Sequence, residues 1–259
     1  MPSQMLSARQ GATLLLTLSD PGTRNTLSPQ AYSAGIEALN NAADEPELRC
    51  VVLRGDGAHF CAGGDLNRIA GARDRPAREQ ADSVAQFSQF VDALRSFPKP
   101  VIAAVEGFAA GGGMALALAC DLIVAAEDAR FVMSYGKIGL SPDGGATWHL
   151  LRALPRALVL EMIWLAEPVT ARRLQDLGLV NRLAASGEAL AVALQLADRL
   201  AAMAPNALAS VKDLVQQGAT RRLQEQMEAE KLAFVDNLFH DNGGEGIAAF
   251  LAKRPPRFS

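Results

Sequence analysis

Residues 99–121, with the sequence KPVIAAVEGFAAGGGMALALACD, constrain the fold more than any other stretch. Residues 100–105 form an apolar run rich in β-branched side chains, which is typical of a buried strand. Three glycines at 111–113 follow, and residues 114–119 then favour a helix. A strand that breaks at glycines and resumes as a helix leaves backbone N–H groups without internal partners, and these attract negative charge. The pattern predicts either a turn that a ligand approaches closely or, as the alternative, a tight helix–sheet contact without a ligand.

The composition is that of a globular protein with a sizeable core. The chain has 259 residues, of which 49% are hydrophobic and 20% charged, so one large domain or a domain with an appendage is expected. The net charge of −3 gives no support for nucleic-acid binding. Cys50, Cys61 and Cys120 match neither a disulfide framework nor a zinc site, which favours a reducing, cytoplasmic location. Residues 107–120 are the longest uncharged apolar stretch and are too short to span a bilayer, so no membrane association is expected.

The order of predicted elements indicates an α/β protein. Strands are predicted at residues 12–18, 48–53, 100–105, 122–126, 130–133 and 179–183. Ser28 followed by Pro29 is typical of a helix start, and Thr170 is a second predicted cap. Further helices are predicted at residues 84–94, 147–154, 157–165, 187–203, 205–217, 220–237 and 245–252. Strands and helices alternate first and helices follow, so residues 1–185 are predicted to form an α/β core and residues 186–259 a helical region.

The helical region carries apolar stripes that need a partner surface. They consist of Phe234, Leu238 and Phe239 in one predicted helix and Ile247, Phe250 and Leu251 in the last. Such stripes pack either on the protein's own core or on another subunit, and the pattern alone does not choose between them.

Three loops carry the candidate catalytic groups: residues 60–66, 111–113 and 138–145. Two of them end strands with glycine-rich backbone, and two strand ends can each aim one N–H at a single oxygen, which makes an oxyanion hole. The third supplies Asp143, a carboxylate between Pro142 and Gly144. An oxyanion hole with one acid–base group suffices for proton transfer beside a carbonyl. The alternative for Asp143 is a helix N-cap.

Other chemistries find little support in the sequence. It contains no G-x-S-x-G, no P-loop and no G-x-G-x-x-G. His59, His149 and His240 are isolated, so no metal site is expected. Tyr135 and Trp148 are candidates to line an apolar pocket, with ordinary packing as the alternative.

Five segments, taken in order, carry a family resemblance. They are RNTL at 24–27, FCAGGDL at 60–66, the glycine-rich stretch with its Cys-Asp end at 107–121, GLSPDGG at 139–145 and KRPPRF at 253–258. Together they resemble the crotonase, or enoyl-CoA hydratase/isomerase, family over nearly the whole chain. The resemblance implies a crotonase-like fold of repeated ββα units, with a helical C-terminal region that supports trimers, often paired into hexamers. It also implies a coenzyme A thioester as substrate and no separate cofactor.

The resemblance also implies roles for individual residues. The backbone N–H groups of Gly64 and Gly112 correspond to the family's oxyanion donors, which hold the thioester oxygen as an enolate forms. Backbone near Ala62 and Gly64 would meet the adenine, and Arg24 suits a contact with a phosphate or the pantetheine. The predicted substrate-binding residues are Arg24, Ala62, Gly63, Gly64, Asp65, Leu66, Gly111, Gly112 and Tyr135.

Two departures from the family pattern indicate the subtype. Hydratases of the family use two glutamates, and this chain has Ala115 and Tyr135 at those positions. Asp143 lies where an aspartate acts in dienoyl-CoA isomerases, ring-epoxide isomerases of phenylacetate breakdown and aryl-CoA dehalogenases. We therefore predict an acyl-CoA isomerase of fatty-acid or aromatic-acid metabolism, with Asp143 as its acid–base catalyst. The alternatives are an enoyl-CoA hydratase with a non-standard base and an acyl-CoA-binding protein with little catalysis, in which Asp143 would be only a cap.

Overall fold

The computed structural model describes residues 3–259, and strands and helices alternate along most of the chain. The strands are β1 (Gln4–Gln10), β2 (Thr13–Ser19), β3 (Cys50–Gly55), β4 (Val101–Val105), β5 (Phe108–Ala110), β6 (Leu122–Ala126), β7 (Arg130–Val132), β8 (Val169–Thr170) and β9 (Arg182–Ala184). The helices are α1 (Pro29–Ala43), α2 (Leu66–Ala72), α3 (Ala77–Ser96), α4 (Gly112–Ala119), α5 (Ala146–Ala153), α6 (Arg156–Leu165), α7 (Ala171–Asp176), α8 (Ala189–Ala201), α9 (Pro205–Gly218), α10 (Leu223–Phe239) and α11 (Asp241–Leu251). The α/β prediction is confirmed.

Two sheets organise the chain. The larger has six strands in the order β1-β2-β3-β4-β6-β9, and the smaller has three in the order β5-β7-β8. The β1–β2 pair is an antiparallel hairpin, whereas the neighbours from β2 to β9 run parallel. Every residue of β4 is buried, as a strand covered on both faces must be. The chain passes from β4 in the larger sheet to β5 in the smaller and then into α4, which makes a ββα unit.

Small side chains let α8 lie close to the larger sheet. Ala189, Ala193 and Ala197 recur every four residues, are fully buried and belong to one apolar cluster with residues of β3, β4 and β6. The helical part of the chain therefore begins with a helix that packs on the sheet. The division of the chain at residues 185 and 186 stays a prediction.

A partly exposed ion pair ties α9 to the start of β4. The Asp121 carboxylate accepts hydrogen bonds from the Val101 N–H at 2.8 Å and from the Lys212 ammonium at 2.7 Å. Burial raises the pKa of Asp121, and the charge of Lys212 opposes that shift. The aspartate that closes the central segment is therefore structural, because it joins α9 to the first residue of β4.

Local signals predicted both capped helices. The Ser28 hydroxyl accepts a hydrogen bond from the Ala31 N–H at 3.1 Å, and the Thr170 hydroxyl accepts one from the Arg173 N–H at 3.1 Å. The sequence did not predict β1, in which Met5 is the one buried side chain, or α2, and neither has an apolar face that periodicity can detect. It also did not predict β5 and β8 of the smaller sheet, which have three and two residues and are too short for a periodic pattern.

The three cysteine side chains lie in the interior of the protein. Cys50, Cys61 and Cys120 are free and buried, and burial raises the pKa of the first two thiols to about 12. Across residues 3–259, the structure has no helix with the length and apolar character that crossing a membrane would require.

Candidate active site

Hydrogen bonds hold the first glycine-rich loop against the second. The Cys61 N–H donates to the Phe108 carbonyl at 3.0 Å, and the Ala110 N–H donates to the Cys61 carbonyl at 2.9 Å. The two loops therefore run side by side as they leave the core. Gly63 has φ +88°, and a Cβ built there would lie 2.7 Å from the Ala110 oxygen and 3.2 Å from the Gly112 nitrogen. The close approach of the loops thus requires glycine at position 63.

The backbone N–H groups of Gly64 and Gly112 are available to a ligand. Among residues 3–259, neither group donates a hydrogen bond. Gly112 is the first residue of α4, so its N–H lies at the positive end of that helix. Two unpaired donors on adjacent loops have the arrangement that an oxyanion hole needs.

Both glycines line a cavity of about 750 Å³ between the loops, α1, α2 and α3. The cavity brings together most of the predicted site residues, namely Ala62, Gly63, Gly64, Leu66, Gly111, Gly112, Tyr135 and Asp143. Arg24 and Asp65 are outside that lining. The Asp65 carboxylate instead caps α2, since it accepts hydrogen bonds from the N–H groups of Asn67 and Arg68.

Asp143 is not a helix cap. Helix α5 begins at Ala146 with Gly145 as its N-cap, and no side chain caps it. The Asp143 carboxylate instead accepts a hydrogen bond of 2.6 Å from the hydroxyl of Tyr135, which lies on the 3₁₀ turn Ser134–Ile138. The capping alternative is therefore wrong, and the carboxylate faces the cavity together with a phenol.

Tyr135 acts as a hydrogen-bond donor in this pair. Burial raises the pKa of Tyr135, and the negative charge of Asp143 raises it further. The phenol accordingly keeps its proton at neutral pH and is a poor base. The hydrogen bond that this phenol donates fixes the orientation of the Asp143 carboxyl group.

Ala115, at the position of the other hydratase glutamate, does not reach the cavity. Ala115 is fully buried in α4 and is absent from the cavity lining. A Cβ built at Gly144 would lie 3.2 Å from the Ala115 Cβ and 2.3 Å from the Phe87 ring, so these groups pack tightly beside the site. Trp148 also lies outside this cavity. The Arg152 guanidinium stacks on its ring, 3.5 Å from the ring centre.

Asn25 is a structural residue of the site that the sequence reasoning did not single out. Its fully buried amide accepts a hydrogen bond from the Asp20 N–H and donates to the carbonyls of Asp56 and His59. It thereby fixes the start of the loop that carries Gly64. The sequence offered two signals for Asn25, its place in the RNTL segment of the family resemblance and the preference of asparagine for turns, and the structure shows it at a φ of +59°.

The comparisons with known proteins identify the family. The sequence model described as Enoyl-CoA hydratase/isomerase matches residues 8–259. The chain belongs to the enoyl-CoA hydratase/isomerase family. It is 35% identical over 260 residues to the 2,3-dehydroadipyl-CoA hydratase of Escherichia coli K12, covering 99% of this chain and 98% of that protein. It is 34% identical to the 1,2-epoxyphenylacetyl-CoA isomerase of the same organism, with 98% of each chain covered.

Solved structures of enoyl-CoA hydratase/isomerase proteins confirm the crotonase-like fold. A crystal structure of an enoyl-CoA hydratase from Polaromonas sp. JS666 superposes with a TM-score of 0.98 at 54% identity, covering 99% of this chain and 100% of that one. Another, from Geobacillus kaustophilus HTA426, gives 0.92 at 34% identity, with 99% and 98% covered. As a member of this family, the chain is an enzyme of CoA-thioester chemistry. Hydratases and an isomerase stand at similar identity, so the reaction has to be argued from the site.

Proposed function

We propose that the protein is an acyl-CoA isomerase that works through a thioester enolate. The N–H groups of Gly64 and Gly112 bind the thioester oxygen and so acidify the carbon next to the carbonyl. Asp143 takes a proton from that carbon and returns it elsewhere on the conjugated system. The observation that carries the proposal is the 2.6 Å hydrogen bond by which Tyr135 presents Asp143 to the cavity that both glycines line.

The reaction needs little else. A proton transfer changes no oxidation state and so needs no redox cofactor. We propose that the reaction uses no group beyond the protein and the substrate, of which CoA is a part. The hydrogen bond from Tyr135 holds the Asp143 carboxyl group in one orientation toward the cavity.

Hydration is the second candidate reaction, and similarity to relatives named as hydratases favours it. Addition of water requires deprotonation of the water and protonation of the α carbon, which favours two acid–base groups. Tyr135 lines the cavity but is a poor base, and Ala115 has no polar atom and lies outside the lining. Passive binding of acyl-CoA is disfavoured, because it assigned Asp143 a capping role that the side chain does not have.

We expect isomerisation to exceed hydration when a 3-enoyl-CoA is incubated with the protein in heavy water. The expected product is the conjugated 2-enoyl thioester carrying deuterium, with 3-hydroxyacyl-CoA formed about 100-fold more slowly, since one of two acid–base groups is missing. Mass spectrometry of the products measures both rates. A two-glutamate hydratase of the family serves as the control. Hydration of crotonyl-CoA at the control's rate would show that another group is the base.

We also propose that the protein assembles as a homotrimer, or a pair of trimers, through its C-terminal helices. The apolar side chains of α10 and α11 are exposed on the single chain, with Phe239 and Phe250 each 83% exposed. Large apolar side chains that are exposed together on one face are typical of subunit interfaces.

Light scattering at micromolar concentration tests the assembly. We expect a mass three times that of one chain, or six times for paired trimers, because the stripes are buried between subunits. Replacing Phe239 and Phe250 together by glutamate is expected to shift the protein toward monomers. A wild-type monomer at that concentration would refute the trimer.

A further inference from the structure

Arg68 is a cation in the wall of the active-site cavity that the proposed reaction does not use. It lies on α2, is partly buried and lines the cavity with Tyr32, Gly112 and Asp143. Its Nη1 donates a hydrogen bond of 3.0 Å to the Ser83 hydroxyl on α3. Within residues 3–259 no carboxylate pairs with Arg68, and its Nε is shielded from solvent without a hydrogen-bond partner.

The unpaired edge of the Arg68 guanidinium has a defined chemical preference. With Nη1 engaged by Ser83, the Nε–H and Nη2–H groups stay without acceptors among the described residues. These two donors form one edge of the planar group, and that edge matches the two oxygens of a carboxylate. Of the two donors, Nη2 retains solvent-accessible surface, whereas Nε is covered. A carboxylate that enters the cavity therefore meets Nη2–H first and reaches both donors once the guanidinium turns toward it, which also relieves the cost of the unpaired Nε–H.

Tyr32 adds a hydroxyl to the same part of the cavity. Its side chain is 3% exposed, and its hydroxyl makes no hydrogen bond with the residues that the structure describes. Burial raises the pKa of Tyr32, whereas the nearby charge of Arg68 acts in the opposite direction. The Tyr32 ring lies 5.3 Å from that of Phe87, which in turn would touch a Cβ built at Gly112 at 3.4 Å. Arg68 and Tyr32 therefore belong to the chamber of the oxyanion glycines.

We propose that Arg68, assisted by Tyr32, binds a carboxylate on the acyl group of the substrate. The substrate class would then be CoA thioesters of dicarboxylic acids, which carry a second, free carboxylate. This inference rests on the proposed function, which places the thioester oxygen at the N–H groups of Gly64 and Gly112. The other cations of the lining, Arg73, Arg75 and Lys137, are exposed and suit the highly hydrated phosphates of CoA, whereas Arg68 is partly buried.

Binding of unreactive thioesters tests the proposal without requiring turnover. Calorimetry would compare saturated acyl-CoAs that end in a carboxylate with methyl-ended acyl-CoAs of equal length, across short and medium chains. We expect the best carboxylate-ended thioester to bind about 10- to 100-fold more tightly, as for a hydrogen bond to a charged group. Equal affinity at every length, or a preference for the methyl end, would overturn the proposal.

Arg68→Met is expected to abolish that preference and to leave the affinity for methyl-ended acyl-CoA unchanged. Arg78→Met is the matched control, since Arg78 is exposed on α3 and is absent from the cavity lining. If Arg68→Met weakens both kinds of thioester equally, Arg68 contacts the CoA part and the proposal is wrong.

Two further variants decide the question should Arg68→Met fail to fold. Arg68→Lys keeps the charge but not the two-donor edge, so the preference should fall without vanishing. Tyr32→Phe removes only the hydroxyl and should reduce the preference severalfold. Unchanged preference in both contradicts the proposal. All of these experiments measure the affinity for unreactive thioesters and not turnover. If the protein did not isomerise its substrate, the proposed reaction would be wrong, but the measured preference for a carboxylate would still stand.

Discussion

Asp143→Asn is expected to lower the rate of isomerisation about 10²- to 10⁴-fold, the usual contribution of a positioned acid–base group. Asparagine has the same shape and its amide oxygen can still accept the hydrogen bond from Tyr135, so the fold and the cavity should be preserved. It cannot take a proton from the α carbon. Acyl-CoA affinity should therefore stay near the wild-type value while kcat falls, which identifies an effect on the transition state.

Steady-state kinetics with calorimetry on the same samples would measure this effect. Asp128→Asn is a suitable control, because Asp128 is exposed and lies outside the cavity lining. Tyr135→Phe should give a smaller loss, since it removes a hydrogen bond to the carboxylate and leaves the base in place. Wild-type turnover by Asp143→Asn on 3-enoyl, dienoyl and aryl-epoxide thioesters would eliminate Asp143 as the catalyst.

Gly63→Ala is expected to lower kcat about 10²- to 10³-fold, comparable to the loss of an oxyanion donor. The new Cβ would lie 2.7 Å from the Ala110 oxygen and 3.2 Å from the Gly112 nitrogen, and both are backbone atoms. Backbone cannot rotate away as a side-chain end can, so the two loops must separate. The N–H groups of Gly64 and Gly112 would then no longer converge on one oxygen.

The control for Gly63→Ala must carry the same backbone strain without the collision. Gly178 provides it, because its φ of +83° is close to the +88° of Gly63 and a Cβ there meets nothing within 4 Å. Gly178→Ala should lower the thermal midpoint through strain alone and keep full activity. Activity is compared at a temperature where circular dichroism shows both variants folded. A fully active Gly63→Ala enzyme would mean that these glycines do not form the oxyanion hole.

Local sequence signals predicted the elements whose causes are local. Ser28 followed by Pro29 placed the start of α1, and the apolar run at 100–105 placed the buried strand β4. The α2 helix was missed because its residues bury no apolar face, and it is held instead by the Asp65 cap. The β1 strand was missed because its partner in the hairpin supplies most of the burial.

The candidate site was predicted unevenly for a similar reason. The strand–glycine–helix pattern marked the three glycines at 111–113 from the sequence, and the family resemblance selected Gly112 among them. The same sequence left Asp143 undecided between cap and catalyst. The structure decides against the cap by the start of α5 at Ala146 and by the hydrogen bond from Tyr135.

The sequence by itself determined the α/β class, the capped helices and the glycine-rich loops, because periodicity and turn chemistry act over a few neighbouring residues. Only the tertiary structure decided what those loops meet. The contact of Gly63 with Ala110 follows from the order of strands in two sheets, and the meeting of Arg68 and Tyr32 in one cavity wall follows from the packing of α2, α1 and α3. Such contacts join residues far apart in the chain, so their energy depends on the whole fold and no local pattern encodes it.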